Sequence, residues 1–116
     1  MSENYEQLLV SSDTFEPFVL CLALGTLEAM KLKVWSSKAG IWTIGRPNFL
    51  NELEKMKVSE DTLDILVEFD ELSALEEFVT EEDFNNKILK IEENIKKRLE
   101  DFPEKFWSAK WVNENL

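Results

Sequence analysis

Between Phe15 and Leu32 the chain is apolar nearly all the way round a helical cylinder: Phe15, Phe18, Val19, Leu20, Leu22, Ala23, Leu24, Leu27, Ala29, Met30 and Leu32 leave no polar face. Such a helix has to be covered on every side, so the stretch to about Lys33 is expected as a buried central helix with the other elements around it. Asp13 and Glu16 have capping-box spacing, and Pro17 suits a first helical turn, where its missing N–H goes unused. Gly25 inside the run marks a close helix crossing. Cys21, the single cysteine, lies in the same run and is expected to be buried and inert, which fits a reducing compartment.

The remaining pattern is also helical. Only three glycines and three prolines interrupt 116 residues, and two of the glycines, Gly40 and Gly45, fall with Pro47 between Ser36 and Leu50. That stretch reads as a loop with a short extended or 3₁₀ piece at 41–44, placing Ile41, Trp42 and Ile44 on the core. Pro47 opens a short helix to about Met56 with Phe49, Leu50 and Leu53 inward. Ser59 caps a helix running to about Val79, and Thr80 with Asp83 begins another. In the latter, Phe84, Ile88, Ile91, Ile95, Leu99 and Phe102 form one apolar stripe, with Glu92–Lys96 and Glu93–Lys97 as i, i+4 pairs on the solvated side. Pro103 ends it, and a last short helix is expected over about 104–113. There Trp107 and Trp111 share a face, either closing the core or forming a contact patch that would favour a homodimer. Residues 1–12 suit either a short helix begun by Tyr5, Leu8 and Leu9 or an edge strand over Leu8 to Ser12. The fold class is therefore all-α: a single domain over 1–116, a bundle of about five helices around the N-terminal one, with no repeat or linker.

Charge is distributed very unevenly. Residues 51–83 hold thirteen carboxylates and two lysines, a net of −11, which equals the formal charge of the whole chain. Within the helix after Ser59 the outward residues include Glu60, Asp61, Asp64, Glu68 and Glu71, and Asp64, Glu68 and Glu71 form an i, i+4, i+7 stripe. Like charges at i, i+4 cost a helix about 0.2–0.5 kcal/mol per pair, and no lysine between 58 and 83 offsets them. The stripe is thus a fixed negative surface suited to a basic partner, or acidity that merely keeps the protein dispersed. A pI near 4.4 argues against direct nucleic-acid binding, which needs clustered Lys and Arg. The longest apolar run, Phe18–Leu24, is too short for a membrane span, and the first residues lack a secretory signal's basic and apolar parts, so the expected location is cytoplasmic.

Much familiar chemistry is missing. The chain has no histidine, so Ser-His, Cys-His and His-metal arrangements are excluded, and one cysteine excludes multi-Cys zinc sites. No P-loop or dinucleotide fingerprint occurs. The enzymatic alternative is Mg²⁺-assisted carboxylate chemistry. All-α nucleotide pyrophosphohydrolases resemble this composition and carry Glu-x-x-Glu on one helix and Glu-x-x-Asp on the next; Glu68 and Glu71 match the first half, but Glu92 and Glu93 are followed three residues later by Ile95 and Lys96. Gly45-Arg46-Pro47 could hold an anion at a helix start, or serve structurally as a turn with Arg46 bridging to the acidic segment.

The run AGIWTIGRP at 39–47, followed by FDELSALEEF at 69–78, resembles small bacterial immunity proteins of contact-dependent growth inhibition and related polymorphic-toxin systems. The resemblance covers about 40 of the 116 residues and includes no catalytic motif. It implies a cytoplasmic, non-enzymatic protein without a cofactor that binds one cognate toxin, often a nuclease and commonly a tRNase. Contact residues in such proteins vary with the toxin, so the candidates here come from the acidic helix alone: Glu60, Asp61, Asp64, Glu68 and Glu71. A third reading is an acidic adaptor or nucleic-acid mimic that binds several basic proteins.

Overall fold

The computed structural model describes residues 7–102 and 109–111. In chain order the elements are β1 (Leu8–Val10), α1 (Phe15–Lys31), α2 (Ser37–Ile44), α3 (Pro47–Lys55), α4 (Glu60–Leu75), α5 (Glu81–Leu99) and β2 (Ala109–Trp111). The protein is all-α, with one buried apolar cluster running through all five helices and a small sheet at the chain ends. No helix among the described residues is long and apolar enough to cross a membrane.

The organising helix is α4 rather than α1. It packs against α1, α2, α3 and α5, and its Thr62, Leu66, Phe69 and Leu72 are fully buried. The expectation of an enclosed α1 is corrected: Val19, Leu20, Ala23, Leu27 and Met30 are buried, but Cys21, Leu22, Gly25 and Glu28 form an exposed face. The bundle's remaining helices lie on one side of α1, and apolar composition alone does not supply a cover for the other. Gly25 accordingly marks no crossing, since nothing lies within 4 Å of where its Cβ would be.

The segment 41–44 is helical, not extended. Ser36 caps α2 by accepting from the Ala39 N–H at 3.2 Å. Gly40, Ile41, Ile44 and Gly45 then form one inward face at helical spacing. The two glycines are there for approach. A Cβ on Gly40 would strike the Met30 thioether, and one on Gly45 would lie 2.7 Å from Phe69 Cβ and 2.8 Å from the Asp70 backbone nitrogen. Small residues therefore let α2 lie directly on α1 and α4, and the same geometry turns Trp42 outward, 60% exposed, where a core position was expected.

Ser59 and Thr80 cap α4 and α5 as expected, accepting from Thr62 and Asp83 N–H groups. α4 stops at Leu75, four residues short of the expected end, because Thr80 needs extended backbone to cap α5 and the chain must turn before it. Phe78, in that turn, is 83% exposed. The apolar stripe of α5 faces the core as expected, with Phe84, Ile88, Ile91 and Ile95 buried.

The expected helix over 104–113 is corrected where it is described. Ala109–Trp111 is a strand paired antiparallel with β1, Leu8 opposite Trp111 and Val10 opposite Ala109. A three-residue strand exists only through its partner, here about a hundred residues away, so no local pattern announces it. Trp107 lies outside the described residues, as does the side chain of Trp111.

Candidate interaction surface and the polar pins behind it

Two polar clusters fix the helices that present the surface. At one end of the bundle, the Glu16 carboxylate accepts from the Ser59 N–H at 2.8 Å through Oε1. Through Oε2 it accepts from the Ser59 hydroxyl at 2.8 Å, the Thr62 hydroxyl at 2.7 Å and Arg98 Nη2 at 2.9 Å. Arg98 also donates from Nε to Thr62 at 3.1 Å and from Nη1 to Asp101 at 2.9 Å, and its guanidinium lies 5.0 Å from the Phe102 ring centroid. The starts of α1 and α4 and the end of α5 thus share one network. Burial works against ionisation of Glu16, but the bonds from Ser59, Thr62 and Arg98 outweigh it and hold its carboxyl below the ordinary carboxylate range.

Glu16 does not close a capping box on α1, whose N-cap, Thr14, makes no side-chain cap bond. It reaches instead to the N-terminus of α4, where a carboxylate is favoured by the free N–H groups. Sequence spacing marked Glu16 as a helix-start acid without telling which helix.

At the far end of α1, Lys31 bonds Glu92 of α5 at 2.9 Å, and Lys96 approaches the other Glu92 oxygen at 3.0 Å. The bond from Lys31, working against burial and helped by Lys96, holds the Glu92 carboxyl below its usual range. Both clusters are satisfied internally and pin helices together.

The acidic face lies on α4, beginning in the same first turn that carries Ser59 and Thr62 of the first cluster. Glu60, Asp64, Val67, Glu71 and Ala74 are exposed along one helical line, with Asp61 exposed beside it. Among the described residues no cation pairs with Glu60, Asp61, Asp64 or Glu71. Glu68 is placed differently. Its side chain, 25% exposed, turns toward α5, where Oε1 lies 3.7 Å from Lys87 Nζ, and its Oε2 is buried without a hydrogen-bond partner. The i, i+4, i+7 stripe is therefore broken at its middle by a lysine from the following helix, which lies beyond the window in which no lysine was found. Of the Glu68–Glu71 pair of the metal-enzyme pattern, Glu68 thus faces Lys87 while Glu71 is exposed. Among the described residues no three Asp, Glu or Cys side chains gather as metal ligands.

The spacing of apolar residues does not predict that Trp35, Trp42 and Phe78 stand outside the core. Trp35 is 46% exposed, Trp42 60% and Phe78 83%, while Leu32 and Val34 beside Trp35 are 64% and 71% exposed. Between the α1–α2 corner and the α4–α5 turn lies a cleft of about 600 Å³. Buried Met30, Phe84 and Ile88 line it, together with Trp35, Asn85 and the acids Glu76 and Glu81. The signal in the sequence was the spacing of Gly40, Ile41, Ile44 and Gly45, which already assigns the inner face of α2 and leaves Trp42 outside it.

A family model described as "Protein of unknown function (DUF3969)" matches residues 10–113. No curated protein matches the chain, and no solved structure does.

Proposed function

The chain belongs to the DUF3969 family, and we propose that it acts by stoichiometric binding, as a cytoplasmic immunity protein that docks the basic domain of a cognate toxin, a nuclease of the tRNase type, on the acidic face of α4. The supporting observation is the exposed line Glu60, Asp64, Val67 and Glu71, with Asp61 beside it, on a helix that packs against the other four described helices. Such a face keeps the backbone positions of its charges at fixed spacings, so a complementary surface meets it without ordering the chain. It also carries repulsion of about 0.2–0.5 kcal/mol per i, i+4 pair that a basic partner relieves. Electrostatic attraction of this kind raises association rates by factors of about 10–10³. Glu68, held by Lys87, supports the face from behind instead of contacting the partner.

The experiment is reconstitution with the product of the neighbouring gene. The reading expects a large secreted protein with a basic C-terminal domain encoded beside this chain. That domain should form a 1:1 complex with it and lose its nuclease activity on mixing. A neighbouring basic domain that stays active and unbound at micromolar concentrations of both would overturn the reading. Capture of several unrelated basic proteins with similar affinity would favour the adaptor alternative.

A further inference from the structure

We infer that the cleft at the α1–α2 corner is a receptor for a single basic side chain, arginine before lysine, projecting from a protein partner; this rests on the basic-partner reading above but concerns a different part of the surface. The cleft is apolar at its base, where Met30, Phe84 and Ile88 are core residues, and half-exposed Trp35 also lines it. An aliphatic stem fits that base, and a guanidinium against an indole face gains a cation–π contact. The rim is acidic. Glu76 and Glu81 line the cleft, and Glu77, Glu82 and Asp83 are exposed in the same turn and the start of α5, against Lys33 and Lys38. Glu76 accepts from the Ser37 hydroxyl at 2.7 Å, which holds one carboxylate at the mouth.

The existing cation there is easily replaced. Lys33 pairs with Glu81 at 3.0 Å, but both side chains are more than 70% exposed, so water and salt screen the pair. Lys33 also sits in left-handed backbone, φ 59°, as the turn residue that ends α1, and its place is set by that turn rather than by Glu81. An incoming guanidinium can take over Glu81 and reach the buried base that Lys33, out in solvent, leaves uncovered. Trp35, exposed and lining the cleft, is of the residue type that dominates binding energy.

The test uses the full chain, labelled with ¹⁵N, and n-butylguanidinium as probe, with n-butylurea as its uncharged isostere. Millimolar butylguanidinium should shift the Trp35 indole N–H and the Asn85 side-chain amide before other signals, and butylurea should not. Trp35→Leu should weaken the effect roughly two- to fivefold, the factor a cation–π contact supplies. Glu81→Gln with Glu76→Gln should weaken it further, and far-UV circular dichroism checks that these surface variants stay folded. Shifts centred on Glu60, Asp61 and Asp64, shifts spread evenly over the acidic surface, equal shifts with butylurea, or no shift at all would each overturn the assignment. Of those results only shifts centred on Glu60, Asp61 and Asp64 bear on the α4 face, by placing the cation there instead; the docking role of that face is tested separately through Asp64 and Glu71.

Discussion

Arg98 Nη2 donates to Glu16 Oε2 at 2.9 Å across 82 residues of sequence, and the same oxygen accepts from the hydroxyls of Ser59 and Thr62. Both side chains are over four-fifths buried, so removing either strands the other among groups arranged for it. Glu16→Ala and Arg98→Ala are each expected to cost about 2–3 kcal/mol, somewhat below a fully buried pair because some solvent reaches both. The double substitution should cost clearly less than the two singles together, since they break one network. Urea denaturation at neutral pH measures all three. Single-variant losses under about 0.5 kcal/mol would show the network to be incidental.

The same carboxylate gives stability a pH dependence of definite sign. Glu16 and Glu92 are held below the ordinary carboxylate value of 4.5, so on acidification the unfolded chain takes up these protons first. Their contribution is complete above that value and is lost as pH falls through the folded values. Acid also relieves repulsion along α4, which acts the other way but is common to wild type and variant. The stability difference between wild type and Glu16→Gln should therefore be flat from pH 7 to about 5 and shrink below that. A difference that grows on acidification would contradict the assignment. Lys31 is raised by its bond to Glu92, then by Glu28, so its contribution is present below 10.5 and lost as pH rises through the folded value.

The three glycines should separate by sign. Gly25, on the exposed face of α1 with open space around it, carries only the entropic penalty of glycine in a helix, and Gly25→Ala should stabilise by about 0.5–1 kcal/mol. Gly45→Ala drives a methyl into Phe69 and the α4 backbone and should destabilise by about 1–3 kcal/mol. Gly40→Ala meets the flexible Met30 side chain, which can turn away, and should fall between them. Thermal melts of the three variants give the order directly; a stabilising Gly45→Ala would contradict the close α2–α4 contact.

Lys57 holds left-handed backbone, φ 64°, where α3 ends, and Val58 N–H returns to Leu53 O at 3.2 Å. Glycine favours this position. Lys57→Gly is expected to be about 0.5–1 kcal/mol more stable than Lys57→Ala, a comparison in which the lost charge cancels. Equal denaturation midpoints for the two would argue against the turn.

Local chemistry made much of this fold legible. Ser59, Thr80 and Pro47 start the helices they were expected to start, and the α5 stripe faces inward as its spacing requires, because caps and periodicity act within a few residues. What escaped depends on distant partners. The strand at 109–111 needs Leu8–Val10, the true target of Glu16 is the start of α4, and Lys87 reaches Glu68 from the next helix. α2 is not legible locally because Gly40 and Gly45 have the look of helix breakers, when they are the small residues that let a helix approach its neighbours. The acidic face was legible as charge; which of its members stand free was not.

The most direct test is the association rate of this chain with the basic domain encoded beside it, measured by stopped flow at low and high ionic strength for wild type, Asp64→Lys and Glu71→Lys. If the α4 face docks the partner, both reversals slow association by about tenfold or more at low salt and flatten its salt dependence, with smaller changes in dissociation. Association rates and salt slopes that match wild type in both variants would contradict the account.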